Sequence, residues 1–584
     1  MKINKSKNQL ITLAIIFFGL FGLAQASHAA DFYIAQAAAG SGNGTSCANA
    51  KASSWNWSEV ADGDTVYLCG NFSSTVNIPI SGTSAGITLK SCKDGEANCG
   101  TGNAAFFSAP YWSTLSPAIM SYNNNHVIID GNGVGTIQAT ANGDDLANQQ
   151  DGGGIYVFGN NVEVKNWTIQ NLYIKPYDNT PAAGSVSTVG IYLTNGSNDS
   201  AHDNIIHDAA TGVEYNNVSS ATQSNINLYN NTVYNCNWGV QAIGGGSNTL
   251  SNNVNIYSND ITIGANWLTT SGVYHSNGSY CFYVSGASVS NLNFYDNYVH
   301  GPSNPPGSWT ASGFFWVSVD PGGLASGIAV YNNLMVGVSG NPANEYVGAA
   351  GTDAIVANNT IIGYQNGAWG ISVGCPSGTC ATVENNIVAD TSIGLSFYGT
   401  NYKAVFHSNN NDLYNNSTLA IDYRIPEDLT YTDTTARDAY WSTNYPILVN
   451  DKTLILVGTQ EKLWQGSTNP NSYNSAQWTN WQDTPVYYTA LSSWQADQGG
   501  CPNSYNDCAS VAGNPNLSAS HVPNLDSLLI GAGANLTSLG ITALNSDATG
   551  AARPATGAWD IGAYQYQTGS DTIAPNSPTG LSVE

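Results

Sequence analysis

One position of a recurring phrase collects the residues best suited to chemistry. The phrase is glycine, an aliphatic residue, a variable residue and one more, at Gly154, Gly190, Gly212, Gly239, Gly272, Gly370 and Gly394. Its variable position reads Tyr156, Tyr192, Glu214, Gln241, Tyr274, Ser372 and Ser396. Alternate side chains of an extended chain point to opposite sides, so these residues should share one outward column. Glu214 is its one carboxylate. Aromatic faces stack on pyranose rings and carboxyls move protons, so the column has the ingredients of a sugar groove, with Tyr156, Tyr192, Gln241 and Tyr274 as binding residues. The plainer alternative is a solvated acid on an exposed strand.

Glycoside hydrolysis needs two carboxyls about 5 to 9.5 Å apart, one protonating the leaving oxygen and the other acting as base or nucleophile. Asp208 and Asp320 are the candidate partners of Glu214, and His207 and His275 are further proton carriers. Elimination beside a uronate carboxylate instead needs a base and a cation to neutralise that carboxylate. Cations are scarce: the basic candidates near the repeats are Lys165, Lys175, Lys403 and Arg424. Calcium would serve in their place. Asp144, Asp145 and Asp151, in GDDLANQQDGGG, offer hard oxygen ligands close together, although a polar loop accounts for them as well.

The elements that must hold this column are short strands. An asparagine-rich phrase repeats at Asn204, Asn231, Asn259, Asn297, Asn333, Asn359, Asn386 and Asn411, a period in the range of solenoid repeats. Stacked bends of this kind let asparagine amides form a ladder. The pattern predicts an all-β parallel β-helix. Two long coils between Asn259 and Asn333 carry insertions, and insertions in a solenoid gather on a binding face. They hold Trp267, Tyr274, His275, Tyr280, Phe282, Tyr283, Trp309, Phe314, Phe315, Trp316 and Asp320. These aromatics are either sugar platforms, Trp267, Trp309 and Trp316 foremost, or a satellite core.

The repeats, with the opening phrase from His126 to Gly133 (HVIIDGNG), resemble the right-handed parallel β-helix proteins of the pectin-lyase-like superfamily. Asp547 to Pro554 (DATGAARP) followed by Trp559 to Gln565 (WDIGAYQ) is similar to the closing segment of secreted β-helix proteins with a choice-of-anchor ending. The resemblance implies a right-handed solenoid with N- and C-terminal caps and an outward glycan-binding groove. It implies a polysaccharide partner and a polysaccharide-cleaving activity, hydrolase or calcium-dependent lyase, with a non-catalytic adhesin or glycan-binding rod as the alternative. Departures are plain. Arg424 opens Arg-Ile-Pro-Glu without the second arginine of the pectate-lyase pattern. The G-H-G and R-I-K of polygalacturonases are missing, and Val319 to Gly322 only half-matches the D-P-H of alginate epimerases.

Residues 1–30 have a basic start, an apolar run from Leu10 to Leu23 and a small-residue end, the pattern of a cleaved export signal rather than a membrane span. A β-helix over 31–567 is expected, capped by 31–75, broken by a Trp- and Tyr-rich insertion at 421–510 and closed by 511–567. Residues 568–584 read as a linker into the start of a fibronectin type III module. Export fits the ten cysteines, whose close neighbours in sequence suggest disulfides, with Cys236 and Cys281 left over. The formal charge of −25, near −28 without the three leader lysines, argues against nucleic acid as a partner. It also repels anionic glycans at long range, so a neutral or calcium-bridged glycan fits better. The expectation is a secreted or cell-surface monomer.

Overall fold

The computed structural model describes residues 29–142, 150–172, 188–219, 221–246, 249–264, 276–284, 286–301, 311–319, 323–338, 343–364, 368–375, 378–399, 404–417, 419–424, 455–458, 486–488, 491, 492, 495 and 507–567. Residues 1–28 and the tail from 568 lie outside them, as does nearly all of the expected insertion. Among the described residues the regular structure is almost entirely β, and no helix is long and apolar enough to cross a membrane.

Three strands recur in each repeat, and each pairs in parallel with its counterpart one repeat on. Thr211–Asn217, for example, pairs with Trp238–Gly245, Thr222–Tyr229 with Leu250–Tyr257, and Thr232–Cys236 with Asp260–Ile263. We number these faces 1, 2 and 3. Face 1 is the 14-stranded sheet; faces 2 and 3 form the 25-stranded one, because Val127–Ala139 and Val162–Gln170 run through the bend between them. The arrangement is that of a parallel β-helix or solenoid. Alternation sets the inside: Val213 and Tyr215, Ile226 and Leu228, and Val233 belong to one core that extends from Ile34 to Leu491.

The bend between faces 2 and 3 explains the asparagines. Asn231 Nδ2 donates to Asn259 Oδ1 at 3.0 Å and to the Ala201 carbonyl at 3.0 Å, and its backbone N–H also donates to Asn259 Oδ1. The pattern repeats through Asn259, Asn297, Asn333, Asn359 and Asn386 to Asn411. The residue before each ladder asparagine turns the corner at positive φ, which Asn, Asp and Ser tolerate: Asp203, Asn230, Ser258, Asp296, Asn332, Asn358, Asn385 and Asn410. Each Asn dyad therefore splits its labour, one residue bending the chain and the next tying it to the neighbouring coil.

Outside this bend, rings pile up on face 2. His202, Tyr229, Tyr257, Tyr295 and Tyr331 stack with centroids 4.4 to 4.8 Å apart and planes within 9°.

The closing segment does two things. Ser510 Oγ accepts the backbone N–H of Asn411 at 3.0 Å, ending the ladder. The chain then runs along the flank, where Asn410, Asn385, Asn358 and Asn332 donate to carbonyls of Ala532, Ala534, Asp560 and Ser546. The anchor-like motif is spent on this docking. Asp547 accepts backbone N–H groups of Thr549, Ala551 and Gln565, and buried Arg553 reaches Asn332 and lies over Trp559.

Cys47–Cys69 and Cys92–Cys99 are disulfides between the sequence neighbours expected, Cys380 and Cys508 are each disulfide-bonded, and Cys236 and Cys281 are free and buried.

Candidate active site

Face 1 carries the predicted column. Its register runs Met120, Tyr156, Tyr192, Glu214, Gln241, Tyr280, Trp316, Gly348, Ser372, Ser396. Flanking residues such as Ile155, Val213, Val240, Cys281, Val317 and Val347 are in the core, so the column points outward. The expected place of Tyr274 is taken by Tyr280. This long coil holds two glycine phrases, and the strand forms on the second, Ser276–Val284. There Gly278 passes under the carbonyl of Phe314, 2.5 Å from where a Cβ would stand, which only glycine permits.

Glu214 is outward yet only 7 % exposed, and Gln241 only 1 %. The plain alternative of a solvated acid fails on that burial. Gln241 Nε2 donates to Glu214 Oε2 at 2.9 Å and to Thr211 Oγ1 at 3.2 Å, and Asn216 Nδ2 donates to Glu214 Oε1 at 3.2 Å. Burial pushes the Glu214 carboxyl up to about 7, and the two amides only partly offset it. The acid is thus poised to hold a proton near neutrality and to give it up. Tyr192, in the adjacent coil, and Tyr156 beyond it are held above the usual phenol range, first by burial and then by Glu214.

Two aromatic groups bracket this polar centre. On one side Tyr156 and Tyr192 lie 5.0 Å apart by ring centroids, continuing through Phe158 to Tyr122. On the other side Tyr280 packs against Trp316 at 5.3 Å, Phe282 at 5.4 Å and Trp238 at 6.4 Å. The insertion aromatics therefore divide. Tyr280, Phe282 and Trp316 face out, while Tyr283, Phe314 and Phe315 are in the core.

The other candidates are not brought to Glu214. His207 and Asp208 belong to face 3 and its following bend. His207 Nδ1 and Asp208 Oδ2 are 2.6 Å apart, Asn235 donates to Asp208, and His207 stacks on Tyr234. Neither is among the groups that perturb Glu214. Lys165 lies on face 2, paired with Glu163 at 2.7 Å. Asp151 is exposed just before face-1 strand Gly152–Phe158. Asp144, Asp145, Trp267, Tyr274, His275, Trp309 and Asp320 lie outside the described residues, so the oxygen set suggested for calcium is not assembled among described residues. The one described group of close potential metal ligands, Cys47, Cys92 and Cys99, is engaged in disulfides.

One acid escaped the sequence pattern. Glu345 lies on face 1, where Gly313, Glu345 and Trp369 are register partners. Burial raises it to about 7, with no offsetting hydrogen bond or counter-charge among the described residues. Its coil reads Glu345-Tyr-Val-Gly-Ala349, with tyrosine where the phrase has glycine, and the preceding coil has Phe314 there. Those rings fill the interior at 4.5 Å from each other. The glycine signal therefore vanishes in the two coils that carry Trp316 and Gly348.

No family model matches the chain, and no curated relative does. Solved structures to which it is similar include XylC in complex with xylose (10 % identity, 92 % of this chain and 98 % of that one, TM-score 0.37). They include the GH136 lacto-N-biosidase from Eubacterium ramulus (12 %, 67 % and 67 %, 0.34) and the DFA-IIIase from Arthrobacter chlorophenolicus A6 (12 %, 63 % and 89 %, 0.29). Scores this low license no transfer of activity.

Proposed function

We propose that the chain is an exported, monomeric, right-handed parallel β-helix that cleaves a glycan on face 1, with Glu214 donating the proton to the leaving oxygen. The observation that carries this is the buried Glu214, raised to about 7 and bracketed by aromatic groups along the axis. A proton donor is most effective when its pKa lies near the working pH. The glycan lies along the axis, its rings on Tyr156 and Tyr192 to one side and on Tyr280 and Trp316 to the other. Asn216 and Gln241 orient the acid.

Hydrolysis is favoured over elimination because the formal charge of −25 repels a polyuronate. Glu345 cannot be the second carboxyl. It stands four coils from Glu214, about 19 Å at about 4.8 Å per coil, too far for either hydrolytic geometry. The second carboxyl is assigned to Asp320, with His275 as a further proton carrier; both adjoin face-1 strands in sequence. Calcium, if used, would draw on Asp144, Asp145 and Asp151.

The test is reducing-end release and ultraviolet absorbance of unsaturated uronates across a polysaccharide panel, with and without calcium, for the wild type and Glu214→Gln. Reducing ends without absorbance, lost in the variant, are expected. Calcium-dependent absorbance would replace the hydrolase with a lyase. Binding without turnover would replace both with an adhesin.

A further inference from the structure

Rings on face 1 reach equally far to either side of Glu214. Two outward rows run side by side along the axis. One is Asn77, Met120, Tyr156, Tyr192, Glu214, Gln241, Tyr280 and Trp316, and the other is Tyr122, Phe158, Thr194, Asn216, Ile243, Phe282 and Ser318. Trp316 stands three coils from Glu214 on one side, and Tyr122 stands three coils away on the other, each about 14 Å at about 4.8 Å per coil. Past these coils the Glu214 row turns to Asn77 at one end and to Gly348, Ser372 and Ser396 at the other.

Tyr122 is the most open ring of the two rows, 58 % exposed. It lies 5.0 Å from Phe158 at 49°, and Phe158 lies 6.2 Å from Tyr192 at 70°. Rings tilted this far leave part of each face uncovered. Tyr156 is nearly buried, with its hydroxyl donating to the Gly152 carbonyl, so Phe158 is the open ring of that coil. Glu214 is the only charged residue in either row between Asn77 and Ser318. Ring faces and amides without charge suit the apolar faces and hydroxyls of neutral sugars.

Resting on the glycan-cleaving reading of face 1, we infer that Tyr122 and Phe158 form a distal sugar platform, and that the substrate is a neutral glycan bound from Tyr122 to Trp316 and cut internally. The bound run covers about 29 Å, with Glu214 at its middle. The anomeric carbon–oxygen bond breaks there, the leaving oxygen takes the Glu214 proton, and water supplies the new hydroxyl. Binding at the distal rings then contributes to cleavage at the centre, because remote contacts hold the reacting bond in place.

The experiment gives the full chain mixed-linkage β-glucan, xylan, galactomannan and dextran, with their oligosaccharides of two to eight units, and compares Tyr122→Ala and Phe158→Leu. Viscosity of a cleaved polymer should fall well ahead of reducing-end release, and affinity should rise up to about six units and then level. Each variant should lose tenfold or more in kcat/KM on the polymer and on six-unit chains, while staying within about twofold on chains of three units or fewer. Thermal unfolding checks that each variant folds, and Tyr122→Ala, at an exposed ring, carries the test if Phe158→Leu does not. Release of short terminal units alone, affinity that stops rising at two or three units, variants that handle six-unit chains as the wild type does, or no binding of any of the four glycans overturns the inference. Cleavage untouched by Glu214→Gln overturns the underlying reading separately, whatever the distal rings bind.

Discussion

The bend between faces 2 and 3 and the outer surface of face 1 use stacking in opposite ways. At the bend like sits on like, so each ladder asparagine amide both gives and receives. On face 1 the stacked residues are unlike. A tyrosine, a glutamate, a glutamine, a tyrosine, a tryptophan and a glycine follow one another, and among the described residues the buried Trp238 Nε1 has no hydrogen-bond partner. Repetition satisfies polar groups internally, whereas its interruption leaves them to something outside the chain. The tyrosine pile on face 2 follows the first rule. Its rings cover one another's faces, so it offers sugars only edges.

The sharpest way to break this contrast is to exchange one residue in each region. Glu214→Gln should lower cleavage by about 10²- to 10⁴-fold, the usual worth of a positioned proton donor, with no fall in the unfolding midpoint, since a neutral amide carries no ionisation cost at this buried site. Asn333→Ala should do the reverse. It removes the acceptor for the Asn297 backbone and side-chain N–H groups and the donors to Phe294, Tyr331 and Asn359. Stranding buried donors costs about 1 to 3 kcal/mol each, so denaturant unfolding should show a loss of about 3 kcal/mol. Activity per folded molecule should hold. A stability loss in Glu214→Gln as large as in Asn333→Ala would erase the distinction.

Proton linkage sharpens the contrast further. Burial raises Asp199 and Asp412 to about 8 and Glu214, Glu345 and Asp296 to about 7. Between pH 4 and 8 the folded chain therefore holds more protons than the unfolded one, and stability falls as pH rises. The contribution is complete below the ordinary carboxylate range and is lost as pH climbs through the raised values. Thermal unfolding between pH 5 and 8 should show this slope, each group contributing about 1.4 kcal/mol for every tenfold gain in proton affinity on folding. Asp199→Asn should flatten the stability slope alone. Activity should decline as pH passes about 7, and only Glu214 substitutions should remove that limb.

How far the sequence reveals these two regions follows from the same rule. The bend is fully legible, because self-satisfaction requires the same residue each time and the eye finds it. The face-1 column is legible where glycine precedes it. At Gly212 a Cβ would stand 2.5 Å from Val233 Cγ1, so side-chain-free backbone is needed and the phrase recurs. The signal fails where Phe314 and Tyr346 fill that interior space themselves, and Gly337 yields to the Tyr346 hydroxyl instead. Glu345 hides in those coils. Tyr274 and Tyr280 cannot be told apart by phrase alone, since either glycine fits, and the core decides for the strand that buries Ser279 and Cys281.

The smallest expected effect tests the face-2 pile, which resembles a sugar platform in composition and differs in geometry. Tyr257 stacks on Tyr229 and Tyr295 at 4.8 Å each, within 4° of parallel. Such ring pairs contribute about 0.5 to 1.5 kcal/mol beyond area, so Tyr257→Ser should cost about 1 kcal/mol in denaturant unfolding. Glycan affinity and cleavage should stay within about twofold of wild type, because the ring faces it removes were never open to a ligand. The same substitution at Tyr280, whose neighbours Phe282 and Trp316 are partly exposed on face 1, should instead weaken glycan binding by tenfold or more. A Tyr257 variant that lost binding as Tyr280 does would mean that stacking along the axis leaves a sugar surface after all. The separation of a self-satisfied flank from an unsatisfied face would then no longer hold.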